Sequence, residues 1–178
     1  MSSFTPAEAL QVNTATSGSQ SPPKMVVLED GRVLYVWVND GASDDVTTME
    51  LQGRIYNADG TPATDQINLS SLAAVDGFDG YDWDNLDVDL MADGQVVLSW
   101  VRSTSEPGGE EPVFAIVQPT ATGLTITTPT TEIQPNDTTA QESPPVTTVL
   151  DNGTILFVWS KNANLDDSTT MTLQGRIF

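Results

Sequence analysis

The chain repeats one pattern three times, and this repetition limits what it can fold into. The segments "LEDGRVLYVW" (28–37), "MADGQVVLSW" (91–100) and "LDNGTILFVW" (150–159) align without a gap. Each contains an Asp-Gly or Asn-Gly turn and has a Trp six residues after the Gly. Short β-forming runs on both sides of such a dipeptide are typical of a β-hairpin. The sequence therefore predicts a repeated unit of β-structure.

The likeness between the first and third copies extends on both sides of the hairpin. "QSPPKMVVL" (20–28) matches "ESPPVTTVL" (142–150), and "TTMELQGRIY" (47–56) matches "TTMTLQGRIF" (169–178). The middle copy is more divergent. Each unit is read as four antiparallel strands in roughly 60 residues, which is typical of a β-propeller blade.

The run at 33–38 is apolar at both its odd and its even positions. A strand of this kind has to be covered on both faces. The predicted fold class is therefore all-β, a β-propeller of four-stranded antiparallel blades with three blades per chain. A two-sheet sandwich competes with it but does not need a repeating unit. The repeated Trp residues lie in such strands and are predicted to pack in the core: Trp37, Trp100 and Trp159.

The two ends of the chain are predicted to complement each other. "SSFTPAEALQVN" (2–13) resembles "NADGTPATDQIN" (57–68), which follows the first copy, and the third copy stops before its own counterpart. The N-terminal segment is thus expected to supply the missing fourth strand and remove an open edge. Because propeller rings usually have four to eight blades, a six-bladed ring formed by a homodimer is predicted. A fragment of a longer repeat array is the alternative. The predicted single domain consists of a closing strand at 2–13 and blades at 20–69, 81–136 and 142–178.

Charge and composition exclude several functions. The chain has 25 acidic and 6 basic residues, a net charge of −19, no His and no Cys. Nucleic acids and anionic membrane surfaces repel such a chain, so neither is an expected partner. Nucleophile–His catalysis and Cys-ligated zinc are excluded as well. The N-terminus lacks the basic and apolar regions of a signal peptide, and no apolar run is long enough for a membrane span.

The segment "AAVDGFDGYDWDNLDVD" (73–89) departs from the repeat. Clustered carboxylates beside Gly suit a hard cation such as Ca²⁺, and aromatic rings beside Asp suit a sugar. A solvated acidic loop is the third interpretation. The predicted metal ligands are Asp76, Asp79, Asp82 and Asp84. The predicted ligand-binding residues are Phe78, Tyr81, Trp83 and Asp84.

The repeated turn with its Trp, the "QGRI" strand and the following "DGTP" (59–62) resemble repeats of large secreted bacterial proteins of the RTX-type and adhesin-like classes. The resemblance implies an extracellular or cell-surface β-repeat module and no catalytic residues. The chain lacks glycine-rich calcium nonapeptides, so the calcium binding of RTX tracts is not carried over.

The predicted function is a non-enzymatic extracellular module that binds a ligand or partner, with glycan recognition and Ca²⁺ as its candidates. The expected partners are a second copy, a glycan or an extracellular protein. A purely structural assembly module without a small-ligand site is one alternative. The second is a glycoside-acting enzyme that uses paired carboxylates. The acidic pairs Asp44–Asp45 and Asp166–Asp167 recur in equivalent loops, where they are read as solvated charges or as equivalent ion sites.

Overall fold

A computed structural model describes residues 9–39, 50–70, 86–103, 110–134, 141–162 and 171–178. All regular structure in these ranges is β, and none of it is a helix that could cross a membrane. The strands are β1 (Lys24–Val27), β2 (Val33–Asn39), β3 (Glu50–Tyr56), β4 (Ile67–Asn68), β5 (Asp87–Leu90), β6 (Val96–Ser103), β7 (Glu110–Pro119), β8 (Leu124–Glu132), β9 (Gln141–Glu142), β10 (Val146–Val149), β11 (Ile155–Asn162) and β12 (Met171–Ile177).

The strands form three four-stranded antiparallel sheets, which confirms the predicted all-β class and the four-stranded units. Sheet 1 has the order β1-β2-β3-β4, and sheet 2 has the order β5-β6-β7-β8. In sheet 3, β9 and β10 both pair with β11, and β12 pairs with the other edge of β11. The described part of sheet 3 therefore has no strand on the outer edge of β12. The predicted domain boundaries stay predictions.

The repeated Asp-Gly or Asn-Gly turn closes the first hairpin of each sheet. Gly31, Gly94 and Gly153 have φ angles of 83°, 80° and 83°, a region that glycine enters without steric cost. The side chain that precedes the glycine accepts a backbone hydrogen bond: Asp30 Oδ1 accepts from Arg32 N at 3.1 Å. An equivalent hydrogen bond forms in each of the other two turns. Each turn is therefore specified by its own Asp-Gly or Asn-Gly pair, and all three copies of the repeat contain such a pair.

The sheets pack face to face. We call the side of a sheet that carries Leu34 and Val36, or their repeat equivalents, its front, and the opposite side its back. The front of sheet 1 packs on the back of sheet 2 in the first core cluster, and the front of sheet 2 packs on the back of sheet 3 in the second. Sheet 2 is therefore buried on both faces. In the second cluster the rings of Phe114 and Phe157 lie 5.1 Å apart, centroid to centroid.

The first strands of the three sheets lie side by side, with β5 between β1 and β10. Two carboxylates of β5 bind the backbone of β10. Asp87 Oδ2 accepts from Thr147 N at 2.8 Å, and Asp89 Oδ2 accepts from Val149 N at 2.7 Å. Because these amides point away from β11, the carboxylates satisfy donors that would otherwise lack a partner at a sheet edge.

The repeated Trp residues are buried, as predicted. Trp37, Trp100 and Trp159 expose 2%, 0% and 3% of their surface. Trp100 lies in the first cluster and Trp159 in the second. Trp100 and Trp159 therefore pack between sheets, whereas Trp37 lies buried on the back of sheet 1; none of the three rings forms an exposed sugar-binding platform.

Replacing Trp100 by Ala should lower the free energy of unfolding by about 3–5 kcal/mol, because a large ring is lost from a packed interior. Trp100→Phe keeps most of the volume and should cost clearly less. Urea denaturation followed by circular dichroism measures both. Equal losses for the two variants would contradict a role in packing.

Candidate functional site

The residues that the sequence singled out as a ligand or metal site lie outside the described ranges. The same holds for the Asp44–Asp45 and Asp166–Asp167 pairs. The end of the acidic segment is described, and there Asp87 and Asp89 hold β10, which is a structural role. Within the described residues no group of three or more His, Cys, Asp or Glu could hold a metal ion. The undescribed predicted site residues are Asp76, Phe78, Asp79, Tyr81, Asp82, Trp83 and Asp84.

Charged side chains from sheets 2 and 3 meet at one end of the strands. Arg102, near the end of β6, is the cross-strand partner of Glu111, near the start of β7. Lys161, near the end of β11, is the cross-strand partner of Glu142 in β9. Strands β7 and β9 are neighbours, so the two pairs come together between the sheets. This carboxylate pair, Glu111 and Glu142, is the candidate site.

Glu111 is a carboxylate held by a guanidinium. Only 3% of the residue is exposed. Arg102 Nε donates to Glu111 Oε1 at 2.8 Å, and Arg102 Nη2 donates to the same oxygen. Arg102 Nη2 also donates to Glu132 Oε1 at 3.0 Å. Two charge-assisted bonds to one oxygen fix the position of Glu111 and offset the cost of its burial.

Glu142 has different surroundings from Glu111. Its side chain is buried, and Trp159 Nε1 donates to its Oε1 at 3.3 Å. The pKa of Glu142 is raised to about 7, mainly by burial; the Trp159 hydrogen bond lowers it, and the charge of Glu111 raises it. Lys161 Nζ lies 3.8 Å from Oε1, within ion-pair distance, so its positive charge acts against this rise. Within the described structure Glu142 Oε2 has no hydrogen-bond partner.

The repeat shows that the fold does not require the charge on Glu142. In sheet 1, Gln20 stands at the equivalent position and Asn39 at the position of Lys161. Gln20 bridges Asn39 as Glu142 pairs with Lys161, and Gln20 Nε2 donates to Asn39 Oδ1. The same backbone arrangement therefore forms with neutral side chains. Sequence analysis missed this site, although the change from "QSPP" to "ESPP" in two nearly identical segments was a signal for it.

A cavity of about 310 Å³ lies on the back of sheet 1. Two buried polar atoms of its lining residues, Gln20 Oε1 and Trp37 Nε1, have no hydrogen-bond partner in the described part of the chain. The corresponding Trp159 Nε1 in sheet 3 is satisfied by Glu142. The cavity residues are Gln11, Val12, Asn13, Gln20, Ser21, Pro23 and Trp37.

No protein-family model matches the chain, and no curated protein sequence matches it. Solved structures do resemble it. An endo-arabinase from Bacteroides thetaiotaomicron VPI-5482 aligns with a TM-score of 0.54 at 11% identity, over 92% of this chain and 57% of that one. An α-L-arabinanase from Penicillium chrysogenum, complexed with arabinobiose, aligns with a TM-score of 0.59 at 14% identity, over 89% of this chain and 46% of that one.

An endo-1,4-β-xylanase from Bacteroides thetaiotaomicron VPI-5482 aligns with a TM-score of 0.51 at 10% identity, over 90% of this chain and 60% of that one. The chain thus spans roughly half the length of these structures. At such low identity the likeness shows the fold alone. The fold is β-propeller-like, which confirms that part of the sequence prediction.

The prediction of a non-enzymatic module is wrong on this comparison, because the solved structures that share the fold are glycoside hydrolases. The sequence disfavours an enzyme because the chain has no His and because it fixes no two carboxylates at a known spacing. Glu111 and Glu142 are far apart in sequence and meet only when sheets 2 and 3 pack. The RTX-type or adhesin-like origin of the repeat stays a prediction.

The raised pKa of Glu142 predicts a pH-dependent stability. The folded state holds the proton above the ordinary pKa of 4.5, so this group stabilises the fold fully below pH 4.5 and loses that contribution as the pH rises through about 7. Glu142→Gln has no carboxyl group to titrate, so this variant does not lose stability as the pH rises. Relative to the wild type, the variant should gain up to about 3 kcal/mol of unfolding free energy between acidic pH and about pH 8.

Urea denaturation at several pH values measures this gain. Glu29→Gln, at an exposed position, is the matched control and should follow the wild-type curve. A constant difference between Glu142→Gln and the wild type at all pH values would show that Glu142 titrates normally.

The calcium site at Asp76, Asp79, Asp82 and Asp84 stays a prediction. If it binds Ca²⁺, millimolar calcium should raise the melting temperature by mass action. Replacing the four Asp by Asn should abolish the rise. Magnesium at the same concentration is the control, because it screens charge equally but prefers a smaller octahedral site. An equal rise with both ions, or in the variant, would count against the site.

Proposed function

We propose that this chain acts on glycosides, with Glu142 as the general acid and Glu111 as the carboxylate that works opposite it. The observation that carries the proposal is the pair itself: two buried carboxyl groups from neighbouring sheets, of which Glu142 has a raised pKa and Glu111 is held by Arg102. Different surroundings of two carboxyl groups are how one site supplies an acid and a base at neutral pH. The β-propeller-like fold, shared with glycoside hydrolases, supports the same conclusion.

Glycoside hydrolysis requires these two groups. A carboxylic acid protonates the oxygen of the leaving sugar while the bond from that oxygen to the anomeric carbon breaks. A carboxylate then takes a proton from the water that adds to the anomeric carbon, or attacks that carbon first. Glu142, with a pKa of about 7, is suited to hold the transferable proton. Glu111, held by Arg102, is suited to the second role.

The hydrogen bonds indicate which oxygen of Glu142 would act. Oε1 accepts from Trp159 Nε1, whereas Oε2 has no partner among the described residues. A protonated Oε2 would be a donor without an acceptor, and a buried group of this kind calls for an explanation such as a catalytic role. Because both carboxyl groups are buried, the proposal requires the strand-end surface over Glu142 to admit a glycosidic oxygen.

The comparisons supply the substrates to test first. The aligned structures are named as acting on arabinan or xylan, and we carry these polysaccharides to this chain as candidates only. We also propose that each of the three sheets is one propeller blade. The chain would then provide three blades of a larger ring. An extracellular location stays a prediction from the resemblance of the repeat.

The test is reducing-sugar release from linear arabinan and from xylan by the purified chain. Loss of a general acid or of its carboxylate partner typically lowers the rate by 10²–10⁴-fold, so Glu142→Gln and Glu111→Gln should each lose activity on this scale. Glu29→Gln is the control and should retain it. Because Glu142 must be protonated, the wild-type rate should fall as the pH rises through about 7.

Measuring the stability of each variant distinguishes a loss of catalysis from a loss of folding. Glu142→Gln should remain folded, since Gln20 shows that the amide fits the same backbone arrangement in sheet 1. A folded wild-type chain that releases no sugar from either polysaccharide would overturn the proposal for these substrates. Wild-type rates in both Gln variants would overturn the assignment of the pair.

A further inference from the structure

The front of sheet 3 is an exposed apolar face. Apolar side chains from three neighbouring strands lie on it, and the most exposed, Leu173, has 82% of its surface accessible. Contiguous apolar surface of this kind marks an interaction site. Its residues, with their exposed fractions, are Val146 (68%), Val158 (36%), Met171 (61%), Leu173 (82%) and Ile177 (65%).

The equivalent positions of β2 and β3 in sheet 1 are buried, although their residues are nearly the same. Leu51 is the equivalent of Leu173, and Ile55 is the equivalent of Ile177; both are 0% exposed. The two glycines between them show the same contrast. A methyl group added at Gly53 would lie 3.4 Å from Leu124 Cδ1 of sheet 2, whereas at Gly175 its nearest atoms belong to sheet 3 itself. The faces therefore differ in what covers them.

The chain itself shows what covers such a face. The front of sheet 1 packs on the back of sheet 2, where Leu98, Trp100, Val113, Ala115 and Val117 complete the first core cluster. The front of sheet 2 packs in the same way on the back of sheet 3. A front thus binds the back of the next sheet. The back that has no front against it within the described chain is that of sheet 1.

The back of sheet 1 has the features of an interface that lacks its partner. Met25 and Val27 of β1 are 65% and 60% exposed, whereas the equivalent Val88 and Leu90 of β5 pack against the first core cluster. The cavity of about 310 Å³ lies beside Trp37 on this same side. The chain therefore carries one half of the repeated interface at each end.

The N-terminal segment lies where the last strand of a preceding sheet would end. Arg54 Nη1 donates to Val12 O at 3.2 Å, and the equivalent Arg176 Nη1 donates to Ile133 O at 2.5 Å. Ile133 directly follows β8, the outer strand of sheet 2. Val12 thus occupies on sheet 1 the place that the end of the preceding outer strand occupies on sheet 3.

We propose that two copies of this chain join head to tail. The front of sheet 3 in one copy packs on the back of sheet 1 in the other, and the same contact forms a second time by two-fold symmetry. The N-terminal segment of each copy then leads to the open edge of β12 in the other. A single copy cannot make this contact, because sheet 2 separates the two faces. Six sheets lie within the usual range for a closed propeller.

The first measurement is the solution mass by light scattering at micromolar concentration and moderate salt, which screens the charge of −19 on each copy. We expect about 38 kDa, twice the 19.0 kDa of one chain. A mass of one chain overturns the proposal and means that another protein or a further repeat covers the two faces. A mass well above two chains also overturns it, because the ring would not be closed.

Single substitutions on each face test which surfaces meet. Leu173→Asp and Met25→Asp place a charge at exposed positions on the two different faces, so the fold of each copy should be retained by circular dichroism. Both should halve the mass. Thr125→Asp, on the exposed side of β8, is the matched control and should leave the dimer intact. Loss of the dimer in Leu173→Asp alone would indicate a contact of sheet 3 with itself and would overturn the head-to-tail arrangement.

The wild-type mass keeps the proposal testable even if a variant fails to fold. The proposal does not depend on glycoside hydrolysis. A dimer without activity, or an active monomer, would separate the two conclusions.

Discussion

Packing of the front of one sheet on the back of the next is the contact on which the rest of this structure depends. Each sheet has an apolar front and an apolar back, so a sheet standing alone would expose both to water. Sheet 2 satisfies this requirement within the chain, since both of its faces lie in core clusters. The two outer sheets satisfy it only on one side. The apolar surface at Leu173 and the cavity at Trp37 are both consequences of the same rule.

The same packing creates the conditions for the carboxylate pair. Where sheets 2 and 3 meet, the interface ends at the strand termini, and Glu111 and Glu142 are held there away from water. Burying a carboxyl group is unfavourable unless it is paired or neutral. Arg102 pairs with Glu111, and the raised pKa favours the neutral form of Glu142. Sheet 1 avoids the cost with Gln20, so folding alone does not explain a titratable carboxyl group at this position in sheet 3.

Local signals in the sequence were sufficient for the repeat and for most of the strands. The Asp-Gly turns, the doubly apolar strand and the buried Trp are all set by residues within ten positions of one another. The candidate site could not be found in this way, because Glu111 and Glu142 are brought together by the contact of β7 with β9. Acidic and aromatic residues are densest at 73–89, so the sequence predicts a ligand or metal site there instead. The described end of that segment, Asp87 and Asp89, binds backbone amides of β10.

Trp159 connects the packing of sheet 3 with the protonation of Glu142. Its ring belongs to the second core cluster, and this burial fixes the direction in which Nε1 points. The hydrogen bond to Oε1 then leaves Oε2 as the oxygen available to a proton. A shift of sheet 3 away from sheet 2 would expose Glu142 to water and return its pKa towards the ordinary value, since burial is the main cause of the shift. The proposed acid function therefore requires the two sheets to stay packed together.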